Sequence, residues 1–102
     1  MAYNAEVEFQ WDKAKEASNQ RKHGLSFSEA KELFTANQDY LEIYDSTHSD
    51  TEDRFIAIGE IQRGVAVVVF TERDEDVIRI IGARFATKYE REKYHVYLDE
   101  IL

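Results

Sequence analysis

At 102 residues with a formal net charge of −8, the chain is long enough to bury roughly two thirds of its unfolded surface and to fold without covalent staples. It contains no cysteine, which excludes a disulfide framework, a thiolate metal site and a thiol nucleophile, and suits the cytoplasm. The acidic balance argues against a general nucleic-acid binder. Most of it comes from residues 37–53, with six acids and no Lys or Arg, while residues 54–94 hold eight basic and seven acidic side chains, so a local basic face is open.

No apolar run approaches the roughly 20 residues of a membrane span, and the N-terminal stretch MAYNAEVEFQW has neither the basic start nor the apolar middle of a signal peptide. A soluble, cytoplasmic protein is expected. With no repeat, no linker, no proline and four glycines, residues 1–102 read as one domain.

In chain order, Glu6 to Trp11 alternates loosely, with Val7, Phe9 and Trp11 on one side, and predicts a short first strand. Asp12 suits a helix N-cap and Gly24 a left-handed C-terminal residue, which bounds a first helix over about Lys13 to His23. Its apolar content is thin, so it should lie shallowly on the surface. Ser26-Phe27-Ser28-Glu29 is a capping-box pattern, and Phe27, Ala30, Leu33 and Phe34 recur at helical spacing, predicting a second helix to about Thr35.

Tyr40 to Tyr44 reads as a strand, with Leu41 and Ile43 on one face. Asp45 to Asp53 is a polar loop, Arg54 to Ile61 the next strand, and Gln62-Arg63-Gly64 a turn into the apolar run Val65 to Phe70. The charged residues Arg73-Asp74-Glu75-Asp76 separate that run from Val77 to Ala83, which predicts a central β-hairpin. Thr87-Lys88-Tyr89-Glu90 is a second capping box, opening a helix whose Tyr94, Tyr97, Leu98 and Ile101 share one face. The order β-α-α-β-β-β-β-α gives an α+β domain with helices packed on an antiparallel sheet meander.

Arg79 and Arg84 stand inside the most apolar strand, where a charged head is costly unless it finds a carboxylate, a phosphate or water. If the hairpin closes with Glu72 opposite Val77, Arg79 faces Phe70 and simple alternation points the two arginines apart. A bulge at Gly82 would re-aim Arg84 and bring both to one groove. The competing structural reading lays Arg79 over Phe70 and pairs Arg84 with Glu90 or another carboxylate at the sheet rim.

His23 ends helix one, where a positive charge suits the helix dipole, and is the best placed of the three histidines for proton transfer near neutral pH. Asp45, His48, Asp50 and Asp53 match no EF-hand spacing and read as a solvated loop. Tyr94 belongs to the apolar stripe, with its hydroxyl free to reach a rim. No GxGxxG, Walker, GxSxG or HExxH pattern occurs.

The blocks FQWDKAKEASNQRKHGLSFSEA, RFIAIG, VVVFTER and RIIGARFATKYEREKY resemble, in order and spacing, the BrnT toxins of bacterial type II toxin-antitoxin systems. The resemblance runs from about Phe9 to Tyr94. It implies a RelE-like fold and a ribonuclease that arrests translation, needing neither metal nor cofactor. The implied partner is a BrnA-type ribbon-helix-helix antitoxin, through which alone operator DNA would be bound. The family's motif positions fall on Lys22, His23, Gly24, Arg54, Arg79, Arg84, Glu90 and Tyr94, and Gly82 stands where the family commonly has serine.

RNA cleavage by its own 2′-hydroxyl requires alignment of that oxygen with phosphorus, proton transfer, and stabilisation of charge on the phosphoryl oxygens. Arg79 and Arg84 are the expected phosphate clamps, Arg54 assists, and His23 moves the proton. Lys22, Arg73 and Lys88 would steer the RNA backbone, and Tyr94 would stack a base or bind phosphate. A second hypothesis is a family member that no longer cleaves and serves only as partner or co-repressor of its antitoxin. A third, direct DNA binding, has the charge against it and no recognition-helix pattern in support.

Overall fold

The two apolar runs flanking Asp74-Glu75-Asp76 form the central hairpin of the fold, β4 (Gly64–Arg73) and β5 (Val77–Phe85). The computed structural model of the protein describes residues 7–102. The other strands are β1 (Glu8–Gln10), β2 (Leu41–Tyr44) and β3 (Arg54–Ile61), and the five-stranded sheet has the order β1-β5-β4-β3-β2. Glu6, where the sequence reading began the first strand, lies outside the described residues.

β2, β3, β4 and β5 form the expected antiparallel meander, but β1 pairs parallel with β5, Glu8 opposite Val77 and Gln10 opposite Arg79. The sheet is therefore mixed, which corrects the all-antiparallel expectation. The direction has a local cause. Leaving β1, the chain runs on along the same edge into α1 (Lys13–His23), so strand and helix flank successive halves of β5.

Asp12 caps α1 by accepting from the Lys15 N–H, and Gly24 ends it at φ +68°, a conformation that favours glycine. The Ser26/Glu29 capping box opens α2 (Phe27–Ala30) as expected, but the helix breaks at Lys31 and resumes as α3 (Glu32–Thr35). There the Phe34 N–H bonds to the Lys31 carbonyl three residues back, tightening the turn instead of continuing an α-helix. α3 comes very close to β3: a Cβ at Gly59 would lie 2.8 Å from Tyr40 Cβ and 3.1 Å from Leu33 Cγ, so only glycine fits.

One face of the sheet packs under α2 and α3, while α1 lies along the outer edge of β5. Its core joins Leu25, Phe27, Leu33, Phe34 and Tyr40 to Ala57, Val68, Phe70, Ile78 and Ile80. The opposite face carries α4 (Lys88–Ile101), opened by the Thr87/Glu90 capping box and held by Tyr94 and Leu98 against Ile58, Val67, Leu41 and Ile56. That second face is only partly roofed, and its open part holds the polar residues of interest. Among the described residues no helix is long and apolar enough to cross a membrane.

Candidate active site

The strand register decides where the arginines go. Arg73, not Glu72, pairs with Val77, and Asp74-Glu75-Asp76 form a three-residue loop with Asp74 at φ +58°. That one-position difference moves every side chain of β5 to the other face relative to β4. Arg79 therefore sits opposite Thr71, on the face away from Phe70, and neither faces nor covers that ring. The ladder then skips Ile81: Phe70 pairs with Ile80 and Val69 with Gly82. This bulge, expected at Gly82, restores phase, so Arg84, opposite Val67, shares a face with Arg79.

Three rows result on the face carrying α4. Arg54, Thr71, Arg79 and Gln10 form the first; Ile43, Ile56, Val69 and Gly82 the second; Leu41, Ile58, Val67 and Arg84 the third. At about 3.3 Å per strand residue, the first and third rows are roughly 13 Å apart along the strands. Gly82 lies between Arg79 and Arg84 and adds no side chain, so a gap separates the two cations.

The two ends differ in their partners. Arg84 donates through Nη1 and Nη2 to Glu90 Oε1 and Oε2 at 2.7 and 2.8 Å, and through Nη1 to the Phe85 carbonyl at 3.4 Å. It is therefore not the free clamp expected from the sequence; the rim pairing with Glu90 is what forms. Of its five N–H groups, Nε–H and one Nη2–H remain for a ligand. This fork holds the Glu90 carboxyl down to about 2, with the Thr87 N–H assisting, and raises the Arg84 guanidinium. At neutral pH Glu90 is thus a fixed anion, too acidic to serve as a general base.

Arg79 and Arg54 form no ion pair with any described residue, and Arg54 Nε is buried with no hydrogen-bond partner among them. The Arg54 backbone is anchored instead, its N–H donating to Ser49 Oγ at 3.0 Å and its carbonyl accepting from the Asp45 N–H at 2.8 Å. Thr71, between the two arginines, is buried and donates to the Asp53 carbonyl at 2.6 Å. On the far side of Arg79 lies Asp12, whose carboxyl is held below its usual range chiefly by the Lys15 N–H and to a lesser extent by Arg79.

His23 and Arg84 come together. A hollow of about 230 Å³ is walled by Asn19 and His23 on one side and by Arg84 and Glu90 on the other, over a floor of Ile56, Val67, Val69 and Gly82. His23 and Asn19 also border an adjoining hollow of about 220 Å³ with Lys15, Lys22 and Ile81. Lys22 thus flanks the site.

Arg73 and Lys88 do not meet there or each other. Arg73 pairs with Val77 at one end of β5, 3.5 Å from Glu52, while Lys88 opens α4 beyond Phe85 at the other end. Tyr94 is removed from any role in stacking a base. Its side chain is 2 % exposed in the core beneath α4, its hydroxyl faces the Asp39 carbonyl at 3.5 Å, and burial raises its pKa.

The sequence reading missed Asn19. Its carboxamide donates to the carbonyls of Ala83 (2.8 Å) and Leu25 (2.9 Å) and accepts from the Ala83 N–H (3.1 Å). The one signal available was a poor helix former inside α1. Among the described residues no group of three or more His, Asp or Glu is placed to hold a metal ion, and Asp45 and His48 of the acidic loop simply pair with each other at 2.9 Å.

His23 and Arg84 line one apolar-floored hollow and Lys22 borders the next, while Arg54 and Arg79 stand on the same sheet face outside that lining. A face of this kind suits an anionic, partly apolar ligand such as a nucleotide chain. A family-level sequence comparison matches residues 11–90 to the family described as "Ribonuclease toxin, BrnT, of type II toxin-antitoxin system". Comparison with curated proteins gives no match. Among solved structures, the fold is similar to the 1.1 Angstrom-resolution crystal structure of the Brucella abortus ribonuclease toxin, BrnT, with a TM-score of 0.60 and 27% identity over 80% of this chain and 99% of that one. With the family match spanning most of its length, from Trp11 through the Glu90 that holds Arg84, this chain belongs to the BrnT family of ribonuclease toxins of type II toxin-antitoxin systems.

Proposed function

We propose that the chain is a single-domain, RelE-like endoribonuclease that cleaves RNA without a metal ion and arrests translation in the cytoplasm. Membership of a type II family implies an antitoxin partner; we take it to be a BrnA-like ribbon-helix-helix protein that also carries the complex to operator DNA. The observation that supports cleavage most directly is the Gly82 bulge, which turns Arg79 and Arg84 onto one face of the sheet, where Arg84 and His23 line a common hollow.

In this reading a phosphate sits over Gly82. Arg79 approaches from the first row with Arg54 behind it, and Arg84 offers its remaining N–H groups from the third, while Glu90 holds its fork in place. His23 accepts the 2′-hydroxyl proton, the 2′-oxygen bonds to phosphorus, and the P–O5′ bond breaks, the leaving oxygen taking a proton from solvent. The products are a 2′,3′-cyclic phosphate and a 5′-hydroxyl. Lys22 lies beside the hollow to hold the flanking backbone; Arg73 and Lys88 act only on more distant parts of a long RNA.

Purified protein incubated in EDTA with RNA, and separately with translating ribosomes, should yield cyclic-phosphate ends, and expression should slow growth. Intact RNA in both reactions together with normal growth would overturn the enzyme reading. It would favour a partner or co-repressor that no longer cleaves, a reading that the Arg84–Glu90 pairing and the net charge of −8 support.

A further inference from the structure

We propose that Asn19 is the positioning residue of this site: its carboxamide stands in for the strand missing beside β5 and fixes His23 against Arg84 across the Gly82 gap. The proposal rests on the ribonuclease reading for its catalytic consequence, but its geometric content is independent of it.

β1 borders β5 only from Val77 to Arg79. Past the bulge, the outer edge of β5 has no strand neighbour among the described residues, and its peptide groups would otherwise be unpaired there. At Ala83 both are taken by one side chain. Asn19 Nδ2 donates to the Ala83 carbonyl at 2.8 Å and Asn19 Oδ1 accepts from the Ala83 N–H at 3.1 Å, the same pair of bonds a neighbouring strand would make. The second Nδ2 hydrogen goes to the Leu25 carbonyl at 2.9 Å. One carboxamide thereby ties together α1, the turn that follows it and the strand carrying Arg84.

That tie matters because little else can set the rotation of α1. The helix buries no side chain, so apolar packing leaves its azimuth weakly specified. Its other cross-connection is Glu16, which accepts from Trp11 Nε1 and from the N–H groups of Phe27 and Ser28, and so ties α1 to α2 and not to the sheet. Asn19 and His23 are four residues apart, on one side of the helix. Both border the hollow that Arg84 and Glu90 close, and a Cβ built at Gly82 would lie 3.9 Å from Asn19 Oδ1. Turning α1 about its axis would carry His23 away from the gap, and a misplacement of about 1 Å in such a site costs on the order of a hundredfold in rate.

The test uses the full chain with Asn19→Ala and the shape-preserving Asn19→Asp, which removes both donated bonds. The core substitution Ile61→Ala, far from the hollow, serves as a control for lost stability alone. Nitrogen-edited NMR of the His23 ring, assigned with His23→Gln, reads the ring's surroundings whether or not RNA is cut, and a defined RNA oligonucleotide gives kcat and KM. We expect both Asn19 variants to move the His23 ring signals and to lower kcat roughly ten- to hundredfold with a much smaller change in KM. Ile61→Ala should lower Tm while leaving the His23 signals and kcat in place. His23 signals that coincide in the parent and both Asn19 variants would overturn the proposal, as would a kcat loss in Ile61→Ala equal to theirs. If the parent cuts no RNA but the His23 signals move with Asn19, the positioning stands and the ribonuclease reading falls.

Discussion

Arg84 and Arg79 lie on the same strand and the same face, separated by a bulge and a glycine, yet they are in opposite states. Arg84 found its carboxylate six residues on, where the capping box of α4 had already fixed Glu90. Arg79, and Arg54 two strands away in the same row, pair with no carboxylate among the described residues. A cation in a local ion pair contributes to folding and keeps only spare donors for a ligand. One held on the sheet by its backbone without such a pair brings little stability and keeps its charge available. Under the proposed function, the difference separates the part of the site that serves the fold from the part that would serve the substrate.

Removing the unpaired charges should have the largest functional effect. Arg79→Ala and Arg54→Ala are expected to lower cleavage on the order of a hundredfold or more while leaving Tm nearly unchanged. Initial rates on an RNA oligonucleotide beside thermal melts decide it; a large loss of Tm with rates intact would reverse the roles assigned to the two ends.

Arg84→Ala should do the converse. It leaves a part-buried Glu90 carboxylate with only backbone and capping partners, and, with Arg84 41 % exposed and screened by solvent, costs on the order of 1 kcal/mol in stability. Its effect on cleavage should be smaller than that of Arg79→Ala, since most of its donors are already committed. Arg84→Lys keeps the charge but not the planar fork, and should recover only part of the lost stability. Equal Tm values for Arg84→Ala and the parent in urea-assisted melts would show the pair to be silent.

The same pair carries a pH dependence of definite sign. Glu90 has a folded value of about 2 against about 4.3 for an unperturbed glutamate. Its contribution is therefore complete above the unfolded value and lost as pH falls from there towards 2. Since Arg84 is 41 % exposed, solvent screening limits the contribution to on the order of 1 kcal/mol. Glu90→Gln should lower stability at neutral pH and converge on the parent near pH 2. A stability difference between the two that stays constant from pH 7 to pH 2 would break the linkage.

The residues that were legible in the sequence are those whose partners are near in the chain. Asp12, Ser26/Glu29 and Thr87/Glu90 cap their helices as read, because a cap needs only the next three residues. Gly82 marked the bulge because a glycine inside an apolar strand needs a backbone reason. The face of Arg79 was not legible: it turns on whether the hairpin loop takes three residues or four, and one step reverses every side chain. The parallel pairing of β1 and the Asn19 clamp on Ala83, 64 residues away in the chain, depend on where α1 lies, and a helix with no buried side chain carries no pattern that says so. Tyr94 was readable as core from its stripe. Assigning it to RNA as well overlooked how completely it is buried between α4 and the sheet.

The smallest expected effect sharpens the comparison at the point between the two cations. Gly82→Ser adds a side chain where a Cβ meets nothing nearer than Asn19 Oδ1 at 3.9 Å, so the substitution fits without displacing the clamp. It narrows the unfolded ensemble and should raise stability by roughly 0.5 kcal/mol. Its hydroxyl would stand in the gap that Arg79 and Arg84 approach from either side, adding a hydrogen bond to a bound phosphate without a new charge. A gain of a few-fold in cleavage is expected, the net worth of about one hydrogen bond. Rate measurements on parent and variant in parallel would expose the opposite outcome: a fall in rate at unchanged Tm would mean that the gap must stay empty for the phosphate to reach both arginines.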